Sequence, residues 1–207
     1  MPLSRRFLLL FAAVLPAQTP PEQAVATFGT TVASSSGLQG DIYLLKPTDD
    51  LLPNFRRKKP VGSIYTTSLA VTPRSFEQGF PGITDRFEWF AIDYKGKFWV
   101  EQAGVYQFRL LSDDGSKLWL NGSLVIDNDG EHPPQHVDGN AELSRGVHTL
   151  RVAYFQGPRA QVALMLYVLR PGDTQWRLFD TNDFRPPPDP AQWTEGTVKK
   201  VKRGSNQ

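Results

Sequence analysis

The 207-residue sequence has no cysteine, two methionines and three histidines. Without cysteine there is no disulfide scaffold, no thiol nucleophile and no cysteine-ligated zinc or iron–sulfur centre. There is no Gly-x-Ser-x-Gly elbow, phosphate-cradling glycine loop or dinucleotide fingerprint, so common hydrolase, nucleotide and dehydrogenase signatures are missing. Long hydrophobic runs are missing too. The apolar stretch from Phe7 to Leu15 stops far short of the ~20 residues that cross a bilayer. No segment carries a convincing amphipathic helical period. Charge of one sign is also scarce, with a formal net of +2.

What is present divides the chain. Arg5 and Arg6 precede the apolar stretch and Pro16-Ala17-Gln18 follows it, the pattern of a secretory signal peptide over residues 1–17. The protein is therefore expected to be secreted, or held in the periplasm or cell envelope, with no transmembrane segment in the mature chain. Losing the two arginines brings the formal charge from +2 to zero. Lys199, Lys200, Lys202 and Arg203 against Glu195 put +3 on the tail, which leaves −3 on the body. The body thus has no broad basic field, and no nucleic-acid partner is expected. Residues 18–36 read as a linker, 37–184 as the globular unit and 185–207 as a Pro-rich, then basic, disordered tail.

Within 37–184 the period is two. Tyr106, Phe108 and Leu110 alternate with polar neighbours, as do Leu150, Val152 and Tyr154. Residues 162–168 are apolar on both parities, which suits a central strand covered on both faces. Further strands are predicted over 38–45, 63–69, 86–92, 97–101, 117–120, 123–127 and 176–179. Short strands between turn signals predict an all-β fold, an antiparallel β-sandwich or barrel.

Asn121-Gly122 between two apolar alternating runs is a strong hairpin signal. A two-residue turn sets Leu120 opposite Ser123, Leu118 opposite Val125 and Ser116 opposite Asp127. Carried further, it sets Asp114 opposite Asp129, with Asp113, Asn128 and Glu131 close by. Like charges facing each other across a strand pair are destabilising. Two neutralising arrangements are open: a cation such as calcium, which takes six to eight oxygens at about 2.4 Å, or pairing with Lys117 or a distant arginine; the remaining alternative is that the ends splay into water. The flanking helices of an EF-hand are missing.

The segment from Gly104 to Asn128, with Ser112-Asp-Asp-Gly-Ser116 at its centre, resembles the signature of the PA-14 domain family, the protective-antigen-like β-barrel. Gly146 to Tyr154 and the strand at 162–168 resemble its later strands, and Gly37 to Tyr43 is similar to its start. The segment from Lys46 to Phe80 departs from the pattern and reads as an elaborated loop. The resemblance implies a non-catalytic, lectin-like module for glycan or cell-surface polysaccharide. It also implies calcium held by Asp113 and Asp114, which a cis peptide aims the same way. The family's second binding loop supplies an Asn where this chain has Gln156, with the same amide oxygen on a longer arm. Gln156 and Arg159 from that loop, with Asp127 and Asp129 beside the pair, are the ligand-binding candidates. The alternatives are a structural or protein-interaction envelope module, or an accessory domain of a carbohydrate-active system.

Glycosidase chemistry needs acids held apart across a cleft, whereas these are crowded on one hairpin, so no enzyme is expected. His132-Pro-Pro-Gln-His136 has helical zinc-pair spacing, but two prolines forbid the helix. His148 shares the parity of Leu150 and Val152 and reads as a satisfied, partly buried strand residue rather than a catalytic one. Asn121-Gly-Ser123 is a glycosylation sequon that doubles as the hairpin turn. Arg56-Arg-Lys-Lys59 reads as a solvated basic loop, with an anionic polymer as the lesser alternative.

Overall fold

A computed structural model describes residues 37–83, 88–158 and 161–201. The expected leader and linker, Arg159 and the final six residues lie outside the described residues. The strands are β1 (Leu38–Leu44), β2 (Gly62–Thr66), β3 (Ala70–Ser75), β4 (Phe90–Val100), β5 (Gly104–Asp113), β6 (Ser116–Leu120), β7 (Ser123–Asn128), β8 (Gln135–Leu143), β9 (Gly146–Gln156), β10 (Gln161–Leu169), β11 (Arg177–Leu178) and β12 (Val198–Lys200). One sheet runs β2-β1-β4-β9-β6-β7 and the other β11-β10-β5-β8-β12, with β3 also on β10. Named strands pair antiparallel throughout. This is the antiparallel β-sandwich that the period-two patterning predicts.

The two sheets meet over one apolar core. Phe90 and Ile92 of β4, Phe108 and Leu110 of β5, Leu118 of β6, Leu150, Val152 and Tyr154 of β9 and Leu164 and Leu166 of β10 are all buried in it. Each such side chain contributes roughly 1.5–3 kcal/mol of transfer free energy. Phe80 stacks on Tyr154 with ring centroids 5.2 Å apart, and Phe90 meets Phe80 edge-on at 5.5 Å. The opposite parity of β4 and β9 builds a smaller cluster on the other side of the first sheet. There Tyr43, Leu45, Ala91 and Phe155 are roofed by Leu52, Phe55 and Trp89.

Several elements depart from the sequence expectations. The strands predicted over 86–92 and 97–101 are one strand, β4, because Gly96 stays in the ladder opposite Leu150 instead of turning. Residues 135–143, which show no large-apolar alternation, form β8; its Val137, Gly139, Ala141 and Leu143 share one parity, and small residues suffice there. The expected loop from Lys46 to Phe80 contains β2 and β3, and Pro73 is accommodated because β3 pairs only with β10. The expected tail is structured as far as residue 201: β12 pairs with Ala141–Leu143 of β8.

The hairpin turn adopts the primed geometry, with φ of 45° at Asn121 and 79° at Gly122. Its register shifts, however. Leu120 faces Ser123 and Trp119 faces Leu124, but Leu118 faces Ile126 and Lys117 faces Asp127, leaving Val125 as the extra residue of a bulge. The turn is locked by Asn121, whose Nδ2 donates to the Gly196 carbonyl at 2.8 Å and whose Oδ1 accepts from Thr149 N–H at 2.7 Å. His148, expected to be partly buried, is fully buried; it donates from Nε2 to the Ser144 carbonyl at 2.9 Å and accepts from Asn121 at Nδ1. Gly196 N–H donates to the Val147 carbonyl at 2.8 Å, which completes this closure.

A Cβ on Gly196 would lie 2.0 Å from His148 Nε2. Gly196→Ala is therefore expected to lower stability by about 1–3 kcal/mol, the usual cost of overpacking. A lower urea midpoint with an unchanged m-value checks it.

Candidate functional site

Asp113 closes β5, and Ser116 opens β6. Between them the Asp113–Asp114 peptide bond is cis, as the family resemblance implies. The turn is bolted from three sides. The Ser112 and Ser116 hydroxyls lie 2.7 Å apart, Asn128 Nδ2 donates to Ser112 Oγ at 3.0 Å, and the Tyr154 hydroxyl donates to the Asp113 carbonyl at 2.7 Å. Gly115 is required by close approach, since a Cβ there would lie 2.3 Å from Phe155 Cε1 and 2.8 Å from Gly130 N.

The two carboxylates are buried at 5% and 6% exposure but are treated differently. Asp114 Oδ2 accepts the Gly157 N–H at 2.7 Å and the Gln156 amide at 3.3 Å, and its Oδ1 accepts the His132 N–H at 3.2 Å. The Asp113 carboxylate accepts no hydrogen bond among the described residues, and neither acid has a cationic ion-pair partner there. Burial, reinforced by the neighbouring Asp114 charge, pushes Asp113 from 3.8 up to about 7, with His132 acting weakly against it. Burial also raises Asp114, opposed by the N–H groups of Gly157 and His132 and helped by Glu131. Glu131 lies close: a Cβ on Gly157 would be 3.2 Å from Asp114 Oδ2 and 3.3 Å from Glu131 Oε1.

Gln156, the last residue of β9, is fully buried beside the pair. Its Oε1 lies 2.6 Å from the Tyr154 hydroxyl and shares that hydroxyl's single proton with the Asp113 carbonyl, while its Nε2 donates to Asp114 and, at 3.0 Å, to the Gln161 carbonyl. The longer amide thus reaches Asp114 through nitrogen and holds it in place. Arg159 lies outside the described residues.

Asp127 and Asp129 are directed elsewhere by the Val125 bulge. Asp127, expected opposite Ser116, faces Lys117 and is 3.4 Å from its Nζ, and Asp129 is 2.9 Å from the same Nζ. Asp129 Oδ1 also accepts from Leu52 N–H at 2.9 Å, tying down the loop before Phe55. Of the two neutralising arrangements, Lys117 serves these two acids, and no lysine or arginine among the described residues pairs with Asp113 or Asp114. Among the described residues no three acidic or histidine side chains group as a metal cluster. His132 bonds the Pro133 and Asn128 carbonyls, so the His132/His136 spacing makes no metal pair. The helper that residue spacing did not disclose is His132, through its main-chain N–H.

The PA14 domain profile matches residues 79–176. No curated protein sequence matches the chain. Among solved structures, the PA14 domain of the MpAFP antifreeze protein superposes with a TM-score of 0.61 at 20% identity, covering 71% of this chain and 88% of that one. A PA14 sugar-binding domain from an RTX adhesin gives a TM-score of 0.53 at 18% identity, covering 70% and 96%. The Epithelial Adhesin 9 A domain from Candida glabrata, in complex with Galb1-3GlcNAc, gives 0.51 at 12% identity, covering 72% and 87%. At these identities the likeness is one of fold.

The raised Asp113 has a measurable consequence. In the unfolded chain it releases its proton near 3.8 and in the folded protein near 7. The folded state therefore binds the extra proton between those values, and the stability it contributes is complete below the lower value and lost as pH rises through the upper one. Asp114 moves the same way. In chelator, the wild-type urea midpoint is expected to fall from pH 4 to pH 7 relative to Asp113→Asn, which cannot titrate there.

Proposed function

We propose that this chain, whose residues 79–176 match the PA14 domain profile, is an exported, non-catalytic module that binds carbohydrate through calcium held by Asp113 and Asp114. The observation that carries this reading is the pair itself: two consecutive buried carboxylates with no lysine or arginine within ion-pair distance among the described residues. Leaving such charges uncompensated is costly, so a site of this kind favours either protonation or a cation. The donors are all hard oxygens, which suits calcium rather than a softer metal.

The pair supplies carboxylate oxygens, and the remaining coordination falls to water, main-chain carbonyls and ligand hydroxyls. Calcium bound there would present open positions to vicinal sugar hydroxyls. The rest of the work belongs to the protein. Gly157 N–H, His132 N–H and the Gln156 amide fix the Asp114 carboxylate. The Tyr154 hydroxyl fixes the Asp113 main chain from the core side. Sugar binding by similarly folded domains supports the reading, since an RTX adhesin domain is described as sugar-binding and the Epithelial Adhesin 9 A domain was solved with Galb1-3GlcNAc. Export rests on the residue 1–17 pattern. Among the described residues no helix is long and apolar enough to cross a membrane.

The same three hydrogen bonds to Asp114 support a second reading, a structural module whose acidic turn needs no ligand. Calorimetric titration with calcium after exhaustive chelation separates the two. The expected result is saturable binding that disappears in Asp113→Asn/Asp114→Asn, with glycan-array binding lost on adding chelator. Because the carboxylates must shed their protons, affinity is also expected to rise with pH through neutrality. A folded protein that takes up no calcium to about millimolar concentration, the weak end for extracellular sites, overturns the lectin mechanism and leaves the structural module.

A further inference from the structure

The other side of the first sheet carries a second cluster that this reading leaves unused. Arg151 of β9 stands at its centre, opposite Lys95 of β4 and Trp119 of β6. Its guanidinium lies over the Trp119 ring at 4.5 Å and over the Phe55 ring at 5.5 Å. Its Nε donates to Asp93, a carboxylate only 2% exposed, whose second oxygen is 2.8 Å from Lys95 Nζ. The arginine is thus held by two rings and one buried acid before any ligand arrives. Its Nη groups have no hydrogen-bond partner among the described residues. A guanidinium pre-set in this way loses little side-chain freedom on binding, and its remaining fork matches a planar carboxylate.

Two hollows flank this stack. One of about 600 Å³ is lined by Arg56, Lys95, Lys97, Trp119, Thr149 and Arg151, among others. The other, of about 250 Å³, shares Arg56, Trp119 and Arg151 and adds Phe55 and Lys117. No acidic residue lines either hollow. Lys95 and Lys117 already serve Asp93, Asp127 and Asp129, but the exposed Arg56 and Lys97 have no ion-pair partner among the described residues. Arg56 reaches this face because the Asn54 cap and the Leu52–Asp129 hydrogen bond fold the basic loop against the sheet.

We propose that this face is a second, calcium-independent binding site for an acidic polysaccharide, with Arg151 gripping a uronate carboxylate and Arg56 and Lys97 meeting carboxylates on neighbouring sugars. Charge complementarity selects the class of ligand: four cations surround the Arg151–aromatic stack, and two of them, Arg56 and Lys97, have no ion-pair partner among the described residues. The two hollows run to either side of the stack, which suits a chain of repeating charged units rather than a single small anion. The half-buried Trp119 beside the arginine offers apolar surface to a sugar ring.

The test is calorimetric titration of the full chain with an alginate oligosaccharide, a polyuronate, in the presence of EDTA, with a dextran oligosaccharide of equal length as the neutral control. Alginate binding that persists in EDTA and survives Asp113→Asn/Asp114→Asn unchanged is expected, with no binding of dextran. Arg151→Lys keeps the pair with Asp93 but removes the fork and should weaken binding by about tenfold or more. Arg56→Ala/Lys97→Ala alters only exposed groups, leaves the fold intact and should cost about tenfold. No alginate binding by the folded wild type, or equal affinity in both variants, overturns the proposal. So does displacement of alginate by an oligothymidylate at equal affinity, which would make the face a general polyanion surface.

Discussion

The ladder between β4 and β9 runs without a slip from Phe90 opposite Gln156 to Val100 opposite Gly146. Both candidate surfaces are positioned by it. One parity of β9 sends Leu150, Val152 and Tyr154 into the core, and the tyrosine hydroxyl then meets the Asp113 main chain. The other parity places Arg151 beside Asp93 and buries Phe155 under the loop that carries Phe55. At the end of the ladder, Gln156 and Gly157 reach Asp114. A one-residue slip in this pairing would exchange the two faces and dissolve both arrangements at once.

The acidic residues near this ladder fall into two groups with opposite electrostatic fates. Asp93, Asp127 and Asp129 each have a lysine or arginine within ion-pair distance. Asp113 and Asp114 are also buried, at 5% and 6% exposure against 2% for Asp93, yet have none among the described residues. Asp114 is held ready by main-chain N–H groups, whereas the Asp113 carboxylate is left bare. The fold could have satisfied the pair with a lysine, as it did a few residues away on the same hairpin. Among the described residues, the groups around the pair fix its geometry without cancelling its charge.

Much of this was legible in the residues. The Asn121-Gly122 turn and the alternation on both sides gave β6 and β7, and the acidic signature after β5 pointed to Asp113 and Asp114. What could not be read was the Val125 bulge, because a two-residue turn sets the first pairs but not those beyond them. That one extra residue moved Asp127 from Ser116 to Lys117. β8 was invisible because its inward positions use Gly139 and Ala141, which carry no apolar period. The basic run at Arg56 read first as a solvated loop, with an anionic polymer only as the lesser alternative. Only the fold, by bringing residues 52–56 against β6 and β9, sets it beside Trp119 and Arg151.

The Asn121 side chain has a further consequence. Both ends of its amide are committed, the nitrogen to Gly196 and His148 and the oxygen to Thr149. A glycan on that nitrogen would take one of its two protons and would need the space occupied by the C-terminal crossing. Modification of the sequon would therefore remove one of the two hydrogen bonds that the amide nitrogen makes to Gly196 and His148, and so compete with closure at residue 196. In a host that attaches sugars to nascent chains at this tripeptide, the order of the two events, rather than final stability, would decide how much polypeptide matures.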